Sequence, residues 1–304
     1  MTPVDSLLHH LFFTGEFLAL ISAILWASAI ILFRLSGKTI HPLGLNLSKN
    51  TISFILVGLT MLFLGKNFWL PLPPSDYLLF LLSGLIGLGL SDTLLFAGLN
   101  RLGASRLAII NCSYSPFMII LSVIFLGERL TVMQIIGVLL IITSVWILSS
   151  REKTQETSPP KLTSGIIFGL SAMMTQAISI VMIKPTLNHL PLLWSTELRT
   201  LGGLIFLGLA FLFHPLHREI LQPLLQLKNW KYIFLASFLG SYLAISAWLG
   251  GMKYTLVSIA AALSQTNIIF IFIFGVIFLH EKITSGKILA FLGGIAGSAL
   301  VTFF

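Results

Sequence analysis

Asn111-Cys-Ser-Tyr-Ser-Pro-Phe-Met-Ile-Ile-Leu-Ser-Val-Ile-Phe-Leu-Gly-Glu-Arg-Leu-Thr131 is a stretch that the chain contains twice. A shift of 153 residues brings it into register with Ser264-Gln-Thr-Asn-Ile-Ile-Phe-Ile-Phe-Ile-Phe-Gly-Val-Ile-Phe-Leu-His-Glu-Lys-Ile-Thr284. The identical run Val-Ile-Phe-Leu then stands at 123–126 and 276–279, and Glu128 falls on Glu281. The offset holds over about 70 residues, from Leu81 to Ser150, and therefore indicates an internal duplication.

The duplication extends upstream into a ladder of small residues. The same shift of 153 lays Ser83, Gly87 and Ser91 over Ala236, Gly240 and Ala244, and Gly98 over Gly251. Small residues at helical spacing let membrane helices approach closely. We therefore expect both segments to be helices that pack tightly against a neighbour.

The composition is that of a membrane protein. Of the 304 residues, 56% are hydrophobic and 9% are charged, and the mean hydropathy is +0.99, which excludes an ordinary soluble domain. The single cysteine excludes a disulfide framework. The net charge of +8 comes from basic residues scattered singly between apolar runs, a pattern that favours membrane loops over nucleic-acid binding. The first fourteen residues contain no Lys or Arg, so we expect no cleavable signal peptide.

Helical spans follow from the length of the apolar runs, because a helix crosses the hydrocarbon core with about 20 apolar residues. Ten spans are predicted, at 16–36, 43–64, 77–98, 104–126, 131–149, 163–183, 192–213, 231–252, 256–279 and 284–303. The polar linker 150–162 separates a first half, 1–149, from a second half, 163–304, with five spans in each. A repeat with an odd number of crossings must insert its second copy upside down. We therefore expect an all-α integral membrane protein with ten transmembrane helices, arranged as two inverted five-helix repeats.

The duplicated stretch resembles the EamA family of the drug/metabolite transporter superfamily. In that family each fourth helix runs through a Pro-centred apolar stretch into Gly-Glu-Arg, and the first repeat here has Pro116 and Gly127-Glu128-Arg129. The second repeat departs from the pattern, with Ile269 in place of proline and His280-Glu281-Lys282 in place of Gly-Glu-Arg. We interpret the two glutamates as partners in helix-end ion pairs with the basic residues that follow them, rather than as gates.

The resemblance covers essentially the whole chain, and Lys49 and Arg199 match the family's basic residue early in each second helix. It implies a secondary transporter for a small polar or aromatic metabolite, such as an amino acid, in a bacterial inner membrane. Import of a vitamin or nucleoside-type metabolite is the alternative. A lipid enzyme would need a reactive pair near one interface, and the sequence shows none, so we expect no enzyme and no cofactor. A non-transporting scaffold would not need the buried charges and polar patches described next.

Two polar patches fall at equal depth in the two repeats. They comprise Asn111, Ser113, Tyr114 and Ser115 in the fourth span and Ser264, Gln265, Thr266 and Asn267 in the ninth. Pro116 removes one helix hydrogen bond, so the fourth span can bend. Facing polar patches are what an inverted-repeat carrier needs around a central cavity, although such residues also join membrane helices by hydrogen bonds. We expect a cavity lined by spans one, three, four, six, eight and nine, with Asn111, Tyr114, Gln265 and Asn267 contacting the solute.

Ionisable residues within spans are functional candidates by default. Asp92 is predicted to be a proton-coupling carboxylate, a receiver for a substrate amine, or a structural partner of Lys49 or Arg199; a proton is therefore one candidate coupling ion. Glu197 and Arg199 are two residues apart and must point to different sides of their helix. We expect Arg199 to matter more than Lys49, because only arginine holds a carboxylate in a bidentate fork.

The six tryptophans separate into two groups. Four lie at span ends, where an interfacial belt explains them: Trp69, Trp146, Trp194 and Trp230. Trp26 and Trp248 lie inside spans. Each either packs against neighbouring helices or provides a surface on which a flat solute stacks. The predicted repeat partner of Trp26 is Thr175, beside Gln176, and we include Gln176 among the candidate binding residues.

Orientation follows from the basic residues. Twelve of the 18 lie on the side of the odd-numbered loops, four on the side of the termini and two within spans. The positive-inside rule therefore places the linker in the cytoplasm and both termini outside, whereas carriers of the resembling family are expected to keep their termini in the cytoplasm. We expect a monomer or weak dimer in the bilayer, with a small-molecule solute and without nucleic acid. A metal site at His214, His217 and Glu219 is not expected, since a fourth ligand is lacking.

Overall fold

The computed structural model describes residues 3–37, 39–126, 131–151, 159–187, 189–254, 263 and 266–303. Every regular element of these residues is a helix. In chain order the helices are α1 (Pro3–Ser36), α2 (Pro42–Phe63), α3 (Pro74–Leu102), α4 (Ala104–Asn111), α5 (Tyr114–Leu126), α6 (Val132–Arg151), α7 (Pro159–Leu187), α8 (Leu192–Leu212), α9 (His217–Leu224), α10 (Leu227–Ala236, continued by Ser237–Ala244 and Ile245–Tyr254), α11 (Asn267–Leu279) and α12 (Ser285–Phe303).

Apolar helices lie at the places where spans are predicted. Seven segments are long and apolar enough to cross a membrane, namely Gly15–Ser36, Pro42–Phe63, Pro74–Leu102, Ala104–Phe125, Lys161–Leu187, Leu192–Leu212 and Trp230–Gly251. Three apolar segments in the described residues are shorter: Val132–Leu148, Asn267–Leu279 and Ser285–Leu300. The short helix α9 lies where a loop was predicted, and it forms because Ile220 and Leu224 bury one side of it.

The second helices of the two halves, α2 and α8, cross in opposite directions. Leu43 at the start of α2 packs in one cluster with Leu207 near the end of α8. Gly58 near the end of α2 lies against Glu197 near the start of α8. Equivalent helices of two parallel copies would run the same way, so this antiparallel contact agrees with the predicted inversion.

Small residues of α3 pack against α7, the first helix of the other repeat. Ser83 and Ser179 exchange hydroxyl-to-carbonyl hydrogen bonds of 2.8 Å in both directions. The hydroxyl of Ser91 donates to the carbonyl of Ala172 at 2.7 Å. The predicted close packing of this ladder is therefore confirmed, and its polar groups are satisfied between helices, as a bilayer requires.

The second repeat makes the equivalent contact between α10 and α1. The carbonyl of Ala244 accepts a hydrogen bond of 2.9 Å from the hydroxyl of Ser22. A Cβ at Gly251 would lie 3.1 Å from the Cβ of Ala19. Each repeat thus packs its third helix against the first helix of the other repeat, so the two halves interlock.

The middle glycines of the two ladders show which residues of the first helices are equivalent. Gly87 faces Gln176, whereas Gly240 faces Trp26. These contacts pair Trp26 with Gln176 at an offset of 150, which is also the offset between Lys49 and Arg199. The predicted partner, Thr175, stands at an offset of 149 and is therefore one residue off.

Both ladders change to π-helix at equivalent places, Leu85–Ser91 in α3 and Ser237–Ala244 in α10. The wider turn disrupts the regular hydrogen bonds between residues four apart. Side chains of α2 bond to carbonyls in both segments: the Asn46 amide donates to Leu88 O at 2.8 Å, and the Ser53 hydroxyl donates to Ser241 O at 3.2 Å. The sequence patterns did not predict these π segments.

The start of α2 is defined by Pro42 and by His41, whose Nδ1 accepts a hydrogen bond of 3.3 Å from the Leu43 amide. Burial lowers the pKa of His41, and the nearby His214 and Arg101 lower it further. The neutral imidazole is therefore favoured, and only the neutral form can accept this capping bond.

Glu281 caps a helix of the other repeat. Its two carboxylate oxygens accept hydrogen bonds from the amides of Ala104 at 2.6 Å and Ser105 at 2.9 Å, at the start of α4. The turn before α4 needs Gly103, which has a φ of +85°. The ion pair predicted for Glu281 with its basic neighbour is wrong, because the carboxylate faces this helix N-terminus. Its counterpart Glu128 lies outside the described residues.

Trp194 is not part of an interfacial belt. Only 3% of it is exposed, its ring contacts Tyr77 edge-on at 5.3 Å, and its Nε1 donates to Phe68 O at 2.8 Å. The interfacial prediction is wrong here, because an apolar cluster covers this helix end. Trp69 and Trp146 are 82% and 66% exposed, as the belt predicts.

Candidate solute-binding site

Arg199, the eighth residue of α8, is the basic centre of the site. Its Nη2 donates to the Ser179 hydroxyl oxygen at 3.1 Å. The same hydroxyl donates to Ser83 O, so it has lone pairs left to accept from the guanidinium. Arg199 is half-buried, and its Nε has no hydrogen-bond partner within the described chain. Donor capacity therefore remains at this guanidinium.

Gln176 lies one turn before Ser179 on α7 and supplies an acceptor. Gly87, in the π segment of α3, leaves the space that both side chains occupy: a Cβ there would overlap the Ser179 hydroxyl and lie 3.2 Å from Gln176 Oε1. No donor among the described residues bonds to this buried Oε1. Donor and acceptor groups without protein partners thus lie in the same region between α3, α7 and α8.

The break between α4 and α5 positions two further polar side chains. Pro116 lacks the N–H that would bond to the Cys112 carbonyl, and the helix is interrupted between Asn111 and Tyr114. Tyr114 packs against the Ala177 side of α7 and lies near enough to Arg199 to interact with its charge. Asn111 has a buried Oδ1 with no donor in the described residues.

Asp92 forms an ion pair with Lys49, with 2.6 Å between Oδ2 and Nζ. Both side chains are largely buried, with 12% and 4% of their surface exposed. Of the roles predicted for Asp92, the structure shows that of a partner for Lys49. Asp92 also lies near enough to Arg199 to interact with its charge, but no described carboxylate forms an ion pair with Arg199.

Glu197 points away from Arg199, as the spacing of two residues predicts. Its Oε1 faces Gly58 on α2, only 7% of the residue is exposed, and its Oε2 has no partner among the described residues. Neither Glu197 nor Ser179 was among the predicted binding residues. A signal for Glu197 was present, since it is the only acidic residue of α8, which is predicted to span the bilayer.

The profile of the EamA-like transporter family matches residues 13–150 and 163–303. The chain belongs to the EamA-like transporter family. The two matched segments coincide with the two repeats, so the resemblance stated from the duplicated stretch is confirmed. Together with the apolar helices, family membership identifies an integral membrane protein whose family transports solutes rather than catalysing reactions.

Two relatives are described as uncharacterized transporters. An uncharacterized transporter of Archaeoglobus fulgidus is 26% identical over 277 residues, which cover 88% of this chain and 90% of the relative. An uncharacterized transporter of Methanothermobacter thermautotrophicus is 27% identical over 144 residues, or 47% of this chain and 41% of the relative. A protein of known crystal structure is similar with a TM-score of 0.64 and 17% identity, over 94% of this chain and 95% of that one. That last likeness shows the fold alone.

In this EamA-like transporter, four of the predicted binding residues come together: Asp92, Tyr114, Gln176 and Arg199. Gly87 contacts both Gln176 and Ser179, and Ser179 accepts from Arg199. Asp92 and Tyr114 lie within electrostatic range of the guanidinium. Asn111 lies one turn from Tyr114 on the other side of the helix break.

Three other predicted residues, Trp26, Trp248 and Asn267, lie elsewhere in the structure. Trp26 packs against Gly240, Trp248 is half-buried in α10, and Asn267 begins α11. The described hydrogen bonds and ring contacts do not connect these three to Arg199. Gln265 lies outside the described residues.

Part of the fourth-span patch joins helices. Ser115 Oγ lies 3.3 Å from Ser298 Oγ of α12, within hydrogen-bond distance. Ser115 therefore joins helices, the alternative considered for this patch, whereas Asn111 and Tyr114 are only partly buried.

Proposed function

We propose that this protein is a secondary transporter that moves a small metabolite with an anionic group, such as an amino acid, across the cytoplasmic membrane. The observation that carries the proposal is Arg199, a half-buried guanidinium with an unpartnered Nε and no ion-pair partner among the described residues. A buried cation without a counter-ion is costly. The carboxylate or phosphate of a solute would supply the missing counter-ion and bind the guanidinium through two parallel hydrogen bonds.

The difference between the repeats supports this assignment. In the first repeat Lys49 is neutralised by Asp92. In the second repeat the position equivalent to Asp92 is occupied by Ile245, at the offset of 153. Arg199 therefore lacks the carboxylate that its counterpart has. A site that is neutral in one half and cationic in the other suits an anionic or zwitterionic solute.

Acceptors near Arg199 favour a zwitterion over a simple anion. Gln176 Oε1 and Asn111 Oδ1 are buried acceptors without donors in the described chain, and an ammonium group of the solute could donate to either. Tyr114 offers an aromatic surface beside the same cation. These groups together match an amino acid with an apolar or aromatic side chain.

Transport would proceed by alternating access, with ten crossings formed by the seven long apolar segments and the three shorter ones. The contact of α3 with α7 and the contact of α10 with α1 are equivalent under the repeat. In such a cycle, each would open while the other closes. Inverted repeats of this kind rock around a site near the bilayer midplane. Movement without covalent chemistry needs no cofactor.

A ligand screen tests the proposal. Purified protein is unfolded thermally with amino acids, organic phosphates, nucleosides and vitamins, and a compound that raises the Tm is then tested for counterflow in proteoliposomes. We expect an anionic or zwitterionic compound to stabilise the protein and to be exchanged. If only neutral nucleosides or vitamins raise the Tm and are exchanged, the alternative of vitamin or nucleoside import is correct. Arg199 then does not bind an anionic group of the solute.

Replacing Tyr114 with alanine is expected to reduce counterflow by at least about tenfold, since an aromatic contact of this kind contributes about 1.5 kcal/mol or more to binding. Folding should be retained, because Tyr114 is half-buried rather than part of the fully buried core. Tyr232→Ala is the control, as Tyr232 is 41% exposed on α10. Equal counterflow in both variants would mean that Tyr114 does not contact the solute.

Glu197 is the candidate for proton coupling, because its carboxylate is buried without an ion-pair partner in the described residues whereas Asp92 is paired. We expect Glu197→Gln to keep counterflow, which needs no proton, and to lose accumulation driven by a pH gradient. Solute uptake into proteoliposomes with and without the gradient separates the two. Gradient-driven accumulation at the wild-type level would exclude Glu197 as the coupling residue.

A further inference from the structure

A polar cavity that does not include Arg199 lies at the ends of the helices. It has a volume of about 660 Å³ and is partly open. We call it the basic pocket; its charged lining residues are Arg34, Arg101, Arg106, Lys161, Lys287 and Glu281. They come from the end of α1 and α3, the start of α4, α7 and α12, and the turn between α11 and α12. This is the side of the odd-numbered loops, whereas Arg199, the eighth of the 21 residues of α8, lies in the half of its helix nearer the other side.

The charge of the basic pocket is strongly positive. Five basic residues and one acidic residue line it, so its formal charge is +4. The acidic residue, Glu281, is already engaged, since its two oxygens accept from the amides of Ala104 and Ser105. Like charges held around one cavity repel one another, and an anion inside the cavity would relieve that repulsion.

Two of the arginines are held in place by neutral groups. Arg34 Nη1 donates to Asn100 O at 2.8 Å, and Arg101 Nη1 donates to Ala97 O at 3.0 Å. The Arg101 guanidinium also lies over the Phe168 ring, 4.5 Å from its centroid. Each guanidinium has five N–H donors, so both are oriented while donors remain for a ligand. Planar forks of this type recognise phosphate oxygens in pairs.

Burial separates this arrangement from the ordinary excess of cations in membrane loops. Arg106 and Lys287 are each only 4% exposed. A loop cation that sets topology has no need to be buried. Lys287 Nζ donates to the Lys282 carbonyl, which holds the ammonium beside the cavity. Both buried cations add to the positive potential of the cavity.

We propose that the basic pocket binds a phosphate-bearing anion at a site distinct from the solute site at Arg199. Its volume lies in the range of small-ligand pockets, about 300–1,000 Å³, and exceeds what a single inorganic ion needs. A phosphate group carries about −1.5 to −2 charges at neutral pH, and a pyrophosphate or phosphodiester group offers several oxygens to several cations. The phosphate belongs either to a soluble compound or to the headgroup of an anionic lipid.

Pyrophosphate is the probe for the soluble source. Protein in a neutral detergent is titrated at constant ionic strength, because salt screens such contacts, and binding is followed as the rise in Tm. We expect the double variant Arg101→Gln/Lys161→Gln to weaken binding by at least about tenfold, given the strength of charge-assisted hydrogen bonds. Lys161→Gln alone tests the pocket without risk to folding, because Lys161 is exposed. Lys66→Gln, at an exposed lysine of another loop, is the control.

Phosphatidylglycerol in mixed micelles, compared with phosphatidylcholine, is the probe for the lipid source. If pyrophosphate raises the Tm of the wild type but not of the double variant, the ligand is a soluble compound. If phosphatidylglycerol does so, the ligand is a lipid headgroup. Either result supports binding in the basic pocket. Equal behaviour of the wild type and the double variant with both probes would overturn it. Arg199→Gln should bind the probe as the wild type does, and a loss there would overturn the claim that the sites are distinct.

Discussion

Replacing Gly84 with alanine is expected to destabilise the protein by about 2–3 kcal/mol, because an added side chain has no space between α3 and α8. A Cβ at Gly84 would lie well inside 3.0 Å of the carbonyl oxygen of Arg199. The obstacle is backbone, which cannot rotate away. Gly202 faces the carbonyl of Leu81 in the same manner. The two glycines therefore allow a crossing of helices from opposite repeats, and Gly202→Ala should behave similarly.

Gly208 provides a matched control on α8, since a Cβ there would meet no atom within 4 Å. Alanine favours a helix over glycine by about 1 kcal/mol, so Gly208→Ala should be neutral or stabilising. Thermal unfolding in detergent measures the contrast, and a loss of 2–3 kcal/mol corresponds to a fall in Tm of roughly 4–12 °C. A Gly84→Ala variant that melts no lower than Gly208→Ala would contradict the close crossing.

The crossing also concerns transport, because the carbonyl that Gly84 contacts belongs to Arg199 itself. Any separation of α3 from α8 moves the guanidinium away from Ser179 and Gly87. We therefore expect the fraction of Gly84→Ala that does fold to transport poorly.

Replacing Asp92 with asparagine is the second change with a large expected effect. It leaves Lys49, of which 3% is exposed, as a buried charge without its counter-ion. Removing one partner of a buried ion pair costs about 3–5 kcal/mol. We expect Asp92→Asn to show a correspondingly lower Tm and yield. An Asp92→Asn variant as stable as the wild type would show that the pair does not stabilise the fold.

The double variant Lys49→Met/Asp92→Leu separates stability from transport. Replacing both members of a buried pair by apolar residues is often neutral or stabilising, so the double variant should regain most of the lost stability. If it also transports, Asp92 is only a structural partner of Lys49. If it folds but does not transport, the pair has a further role in the transport cycle.

The repeat architecture could be predicted because duplication leaves a direct trace in the sequence. Close helix crossings require small residues, so the shared ladder of Ser83, Gly87 and Ser91 predicted a close contact with a neighbouring helix. The structure shows that this neighbour is the first helix of the other repeat. The contact of Gly240 with Trp26 follows from the same ladder. The predicted partner of Trp26 was wrong by one residue, because the sequence pattern does not fix the lengths of the loops that join the helices of each repeat.

The partners of the charged residues were harder to predict. Asp92 could pair with Lys49 or Arg199, and the choice depends on how α2 and α8 cross α3, which sequence spacing does not reveal. Glu281 has a basic neighbour in sequence, but its carboxylate reaches the amide of Ala104, a residue 177 positions away. The π segments escaped prediction because they need only a local change of hydrogen bonding, which leaves the apolar pattern intact.

Arg199 is proposed to hold the anionic group of the solute, and binding affinities test this most directly. Dissociation constants are measured for the stabilising solute and for an ester that removes the negative charge of its anionic group, with the wild type and with Arg199→Gln, so that the four values form a double-mutant cycle. We expect the wild type to prefer the anion by about 100-fold, or about 2.7 kcal/mol. Arg199→Gln should lose this preference while binding the ester as the wild type does. If Arg199→Gln still prefers the anion by the wild-type factor, Arg199 does not bind the anionic group.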